Sequence, residues 1–123
     1  MTTVMTTVVL ADDQELVRTG FRLILESEGD ITVVGEAEDG AQALEAVRSG
    51  CPDLVLMDVR MPGLDGIEAC RRIRADASIE QPTIIMLTAM GQDTDVQAGM
   101  DAGANEYLIK PFSPSSLLRR VCE

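Results

Sequence analysis

Short uninterrupted apolar runs alternate along this chain with longer stretches in which apolar positions recur three or four residues apart. The runs fall at residues 8–10, 31–34, 54–57, 83–87 and 107–109. Each is too short for a helix and is rich in Val, Ile and Leu without polar alternation, the pattern of strands covered on both faces and therefore of a parallel sheet. Between the runs, Val17, Phe21, Ile24 and Leu25 share one helical face, as do Ala43, Leu44 and Val47, and later Ile67, Cys70 and Ile73. Gly29, Gly50 and Gly103 stand where helices are expected to stop. Five strand-helix units in 123 residues predict a single α/β domain, an open doubly wound parallel sheet with helices on both faces and no linker.

Composition narrows the function classes without choosing one. A net charge of −11 with no basic run makes it unsuited to gripping nucleic acid by itself, so any DNA contact would belong to something attached. No apolar run approaches the roughly 18 residues of a transmembrane helix, so no membrane association is expected. The start, Met-Thr-Thr-Val-Met-Thr-Thr-Val, has no basic segment ahead of an apolar one and does not read as a secretory signal. It is nearly duplicated, which makes residues 1–5 an extended start and Met5 a candidate first residue. Cys51, Cys70 and Cys122 are odd in number and lack a Cys-x-x-Cys pair, arguing against disulfides and zinc and for a reducing cytoplasm.

Ligands of doubly wound sheets sit outside the carboxyl ends of the strands. Asp12 and Asp13 follow the first run, Asp58 the third, Thr88 the fourth, and Lys110 the fifth. Three carboxylates, a hydroxyl and a lysine are therefore expected on one rim. Each has an ordinary reading: Asp12 with Glu15 resembles a capping box, Asp58 precedes a Met-Pro-Gly turn, and Thr88 could simply end a strand. Lys110 is the one lysine among ten basic residues, the others being arginines. Lysine is a compact point charge and arginine a planar fork, so a cramped site touching one phosphoryl oxygen can demand the former.

Crowded carboxylates are relieved by a hard divalent cation with oxygen ligands, most simply Mg2+, with Mn2+ as the substitute. Such a site polarises a phosphoryl group whose remaining oxygens Thr88 and Lys110 could hold. One carboxylate can then act as nucleophile and become an aspartyl phosphate, and Asp58 is central among the strand ends.

The segments Ala-Asp-Asp-Gln-Glu-Leu-Val-Arg, Leu-Met-Asp-Val-Arg-Met-Pro-Gly-Leu-Asp-Gly, Leu-Thr-Ala and Tyr-Leu-Ile-Lys-Pro-Phe, in that order, resemble the receiver domain of bacterial two-component response regulators over essentially the whole chain. The resemblance implies the flavodoxin-like strand order 2-1-3-4-5 and a phosphorylation-activated switch in which Asp58 accepts a phosphoryl group from a sensor histidine kinase. It implies Mg2+ bound by Asp13, Asp58 and the main-chain carbonyl of Arg60, with Asp12 assisting through water. Thr88, Ala89 and Lys110 would meet the phosphoryl group, Tyr107 would be the switch aromatic, and Lys110-Pro111 would be a cis peptide. Arg60 and Met90, two residues after the acceptor and the threonine, stand at positions that tune the lifetime of the phosphoryl group. Neither can orient an attacking water, so a long-lived acyl phosphate is expected; that both merely face solvent is the alternative. The receiver would not be an enzyme beyond its own phosphorylation and dephosphorylation.

Two rivals share parts of this pattern. Haloacid-dehalogenase-like phosphatases also combine a nucleophilic aspartate with a threonine, a lysine and an acidic pair, but their general acid two residues on is Arg60 here, and their acidic pair comes last in the chain. A flavin-binding module would place phosphate against an acidic rim. The output is divided: the first half is most like receivers that precede LuxR-type helix-turn-helix domains, while Ala-Gly-Ala-Asn-Glu-Tyr-Leu-Ile-Lys-Pro-Phe-Ser-Pro also resembles those that precede winged helices. A transcription factor that homodimerises on phosphorylation is the leading expectation, and a stand-alone regulator or phosphorelay intermediate the alternative. Arg71, Arg72, Arg74, Arg119 and Arg120 could be docking patches or solvated helix-end charges.

Overall fold

The computed structural model describes residues 5–89, 92–110 and 113–122. Strands and helices alternate as β1 (Thr6–Ala11), α1 (Glu15–Glu26), β2 (Ile31–Ala37), α2 (Gly40–Gly50), β3 (Leu54–Asp58), α3 (Gly66–Ala75), β4 (Thr83–Ala89), α4 (Asp93–Asp101), β5 (Glu106–Lys110) and α5 (Pro114–Cys122). The five strands form one parallel sheet in the order β2-β1-β3-β4-β5, the expected doubly wound order.

Strand pleating sends alternate residues to opposite faces and so divides the core in two. Val9, Ala11, Val55, Met57, Ile84 and Met86 meet Ala43, Val47, Ala69, Cys70 and Ile73 of α2 and α3. Val8, Leu10, Leu54, Leu56, Ile85, Leu87 and Leu108 meet Phe21 and Leu25 of α1 and Leu117 of α5. Leu56 and Leu87 have no accessible surface, and each such side chain contributes about 2 kcal/mol of transfer free energy.

The edge strands depart from the double coverage predicted for every run. Val34 of β2 and Tyr107 and Ile109 of β5 are exposed. Pairing steps from Val8↔Val33 to Val9↔Gly35, which leaves Val34 in the bulge without a partner position on β1.

Helix ends follow local chemistry, with two differences from expectation. Asp39 and Asp65 cap α2 and α3, accepting from the main-chain amides of Gln42 at 2.8 Å and Glu68 at 2.9 Å. The Asp12–Glu15 capping box does not form, because Gln14 is the N-cap of α1 and makes no side-chain cap bond. Gly50 remains inside α2, and Cys51 takes the left-handed cap conformation at φ 44°. After α4, Gly103 sits at φ 111°, and a Cβ there would lie 2.7 Å from Cγ of Arg74. Arg74 in turn donates to the Gly103 carbonyl at 2.8 Å and the Pro82 carbonyl at 2.8 Å. It therefore staples α3 to the loops around β4 and β5 and is not a solvated docking charge. No helix among the described residues is long and apolar enough to cross a membrane.

Candidate functional site

The carboxyl ends of β1, β3, β4 and β5 bring the expected residues to one rim. Asp12, Asp13 and Asp58 each present a carboxylate oxygen within 4.8 Å of the others. Lys110, the last residue of β5, reaches across the sheet and donates to Asp12 Oδ2 at 3.0 Å and Asp58 Oδ2 at 3.1 Å.

The three acids differ in what surrounds them. Asp12 is 1% exposed, and its Oδ1 accepts from the Gln14 amide at 2.9 Å. Its main chain is fixed as well: the amide donates to the Ala37 carbonyl at 3.0 Å, and the carbonyl accepts from Arg18 Nη1 at 2.6 Å. Arg18 is itself buried and donates through Nε to Glu36 Oε1 of β2 at 2.9 Å. Asp13 is exposed to solvent. Asp58 Oδ1 accepts from the amide of Arg60 at 3.2 Å.

Burial pushes the Asp58 carboxyl above its ordinary range; the bond and charge of Lys110 oppose this, and the neighbouring Asp12 adds to it. For Lys110, burial works against its charge, but the bonds to Asp12 and Asp58 outweigh it and hold the ammonium above its ordinary value. The pair is thus asymmetric: attraction prevails in the lysine, desolvation in the aspartate.

A glycine makes the close packing behind Asp58 possible. A Cβ on Gly66 would overlap the Asp58 carbonyl oxygen, and the Gly66 amide donates to the Val59 carbonyl at 3.0 Å, so α3 begins directly against the end of β3. Across the sheet, Asp58 pairs with Leu87, next to Thr88. Thr88 is 3% exposed, and its Oγ1 is buried with no hydrogen-bond partner. An unpaired buried hydroxyl costs about 1–3 kcal/mol, a deficit that an oxygen-rich group at the rim could remove.

The remaining expected residues divide. Ala89 ends β4 opposite Lys110 and is exposed. Tyr107 is 40% exposed on the outer side of β5. Arg60 does not simply face solvent: its Nε donates to Asp95 Oδ2 at 3.0 Å and its Nη2 to Gln92 Oε1 at 2.9 Å. Met90 and Pro111, and with them the lifetime position after Thr88 and the cis peptide, lie outside the described residues. Arg71 and Arg72 pair with Glu68 on their own helix, and Arg120 with Glu106 at 2.6 Å. Cys51 is exposed and Cys70 buried, both as free thiols. Burial raises the Cys70 thiol above its ordinary value, and its Sγ donates to the Ala102 carbonyl at 3.6 Å.

Sequence reasoning missed Arg18. It lies at helical spacing with Phe21 and Leu25, and its place on that apolar face was a signal that it is drawn inward. The donor set at the rim, carboxylate oxygens from Asp12, Asp13 and Asp58 with one of them solvent-facing, suits a hard cation such as Mg2+ or Mn2+ that retains water.

Residues 8–122 match the family model described as the response regulator receiver domain. The DNA-binding response regulator MtrA of Mycolicibacterium smegmatis is 42% identical over 122 residues, covering 98% of this chain and 51% of that protein. Among solved structures, a putative response regulator from Chloroflexus aurantiacus superposes with a TM-score of 0.88 at 38% identity, covering 95% of this chain and 94% of that one. The receiver domain of the sensor histidine kinase PA1611 from Pseudomonas aeruginosa, with a magnesium ion coordinated in its active site cleft, gives 0.85 at 35% identity, covering 96% of this chain and 95% of that one.

The chain belongs to the response regulator receiver domain family, which sets aside the phosphatase and flavin-module readings. It spans about half the length of the curated relatives it matches.

Proposed function

We propose that this domain is the phosphorylation-activated switch of a two-component system, with Asp58 as acceptor. The observation that carries the reading is Lys110 Nζ bridging Asp12 and Asp58 while the neighbouring Thr88 hydroxyl lies buried and unpartnered. A carboxylate oxygen of Asp58 attacks the phosphorus of a phosphohistidine on the sensor kinase. The new P–O bond forms as the P–N bond breaks, and the imidazole leaves with its electron pair. Lys110 exchanges its contact with Asp58 for an oxygen of the phosphoryl group, and Thr88 Oγ1 and the Ala89 amide engage the others. Asp13, Asp58 and the Arg60 carbonyl, with Asp12 through water, would hold Mg2+ or Mn2+. When bound, that cation offsets charge on the phosphoryl oxygens.

Phosphorylation adds charge at the rim, draws Thr88 toward it, and lets Tyr107 turn from its exposed position toward the space vacated. The altered α4, β5 and α5 face then changes partner or dimer contacts, and DNA is reached through an output domain outside this segment. The whole takes place in the cytoplasm. Arg60 near the acceptor offers no acid or amide to orient water, which supports a long-lived acyl phosphate.

Intact mass after incubation with acetyl phosphate and Mg2+ tests the assignment. One phosphoryl adduct is expected in the wild type and none in Asp58→Asn or without the cation. An adduct that persists in Asp58→Asn would move the acceptor elsewhere.

A further inference from the structure

We propose that Arg60 is an exchangeable tether, bound to the first turn of α4 before phosphorylation and to the phosphoryl group after it. The inference rests on Asp58 as acceptor and adds how the modified aspartate reaches α4.

Three observations converge on Arg60. Its amide touches the Asp58 carboxylate at 3.2 Å, so the residue stands at the acceptor. Its guanidinium nevertheless points away, with Nε on Asp95 at 3.0 Å and Nη2 on Gln92 at 2.9 Å. Gln92 is the N-cap of α4 and makes no cap bond with its side chain, which is engaged by Arg60 instead. The tether is thus made by the residues that begin the helix.

Magnitudes make it exchangeable. The Asp95 side chain is 17% exposed but that of Arg60 is 70% exposed, and an ion pair whose cation is this open to water is worth about 1 kcal/mol. The phosphoryl group carries about −1.5 to −2 charges where the carboxylate carried one, and presents three strong acceptor oxygens within reach of the same arginine. Arginine's planar fork suits such oxygens better than a single carboxylate oxygen plus an amide. Part of what Asp95 loses on release is offset by the helix dipole, which stabilises an acid in the first turn whether or not Arg60 is present.

The first turn of α4 is sensitive to the loss. Gly99 is the one fully buried residue of α4, and it is near the other end. With few buried groups holding its start, that turn depends on the tether for its order. Phosphorylation therefore loosens the start of α4 by withdrawing Arg60.

The test is amide hydrogen exchange at residues 93–97, measured with the mass of the Asp58 adduct on the same samples after acetyl phosphate and Mg2+. In the wild type, exchange there is expected to rise several-fold on phosphorylation. In Asp95→Asn, and separately in Arg60→Gln, it is expected to be raised already before phosphorylation, and the double variant is expected to exceed neither single one. In Asp95→Asn the adduct still forms but adds no further increase. An adduct with unchanged exchange at 93–97 in the wild type, or a full increase surviving in Asp95→Asn, overturns the tether while leaving the acceptor intact. Absence of the adduct in the wild type overturns the acceptor, and the tether with it.

Discussion

Glu36 on the edge strand β2 and Asp58 at the end of central β3 both accept from basic side chains, yet their proton affinities move in opposite directions. Bonds from Arg22 and Arg18 hold the Glu36 carboxyl below its ordinary range against a smaller effect of burial. At Asp58 burial dominates and the carboxyl rises in spite of Lys110. The Glu36 side chain is 31% exposed and that of Asp58 15%. At the edge, water shares the cost of the charge and two guanidinium groups supply more than enough attraction. At the rim, one ammonium is divided between Asp12 and Asp58. The edge compensates its charge fully, and the rim leaves one carboxylate short of compensation.

The largest effect expected from breaking this contrast is at the edge. Arg18→Met leaves Glu36 to Arg22 alone and removes the 2.6 Å bond to the Asp12 carbonyl, a loss of about 2–3 kcal/mol because a buried acceptor is left unpaired. The midpoint of urea unfolding measures it. Asp58→Asn tests the rim with the opposite sign: relieving a desolvated carboxylate next to Asp12 is expected to stabilise the cation-free protein by about 1 kcal/mol, which thermal unfolding would report as a rise of a few degrees.

The two carboxylates also separate with pH. Because the folded-state pKa of Glu36 is lowered, its contribution is present above the unfolded value and is lost as pH falls through the folded one. Because that of Asp58 is raised, protonation favours the fold; its ionisation costs stability as pH rises through the folded value. The advantage of Asp58→Asn is therefore expected to be fullest at neutral pH and to vanish below about pH 4, where the aspartate is protonated in both states. A constant advantage across that range would assign the effect to packing. The cation has a comparable effect: at tenfold its dissociation constant, Mg2+ is expected to stabilise the wild type by about 1.4 kcal/mol, and Asp58→Asn by less. Smallest is Tyr107→Ala. Its ring is 40% exposed, so unfolding should change by under about 1 kcal/mol. Adduct formation is expected to persist while the coupling of phosphorylation to output weakens; loss of the adduct would count against Tyr107 as the switch.

How far the sequence reaches follows the same division. Central strands were legible because Leu54 to Met57 and Ile84 to Leu87 are buried on both faces, which leaves a continuous apolar run. The rim was legible because strand-end positions in a doubly wound sheet converge whatever the side chains are. Edges were not: Val34, Tyr107 and Ile109 look apolar in sequence and stand exposed, since coverage depends on where helices pack. Arginines were the hardest to place. Apart from the helical spacing of Arg18 with Phe21 and Leu25, nothing local foretells that Arg18 is buried under the acidic loop, Arg60 tethers α4, and Arg74 staples two loops to α3. A long side chain finds partners far along the chain, and periodicity carries no record of them. Gly50 and Cys51 show a smaller version, a helix running one residue past the glycine expected to end it.

The fit of Gly66 against the Asp58 carbonyl has a mechanical meaning. α3 is seated on the end of β3 with no slack, and Ala69, Cys70 and Ile73 press it into the sheet along its length. This flank behaves as an anvil: a force arising at Asp58 cannot be absorbed by displacing α3 without rebuilding the core. On the far flank, α4 and the outward residues of β5 are lightly loaded. The difference in packing gives the molecule a preferred direction of yielding, fixed by a missing methyl group.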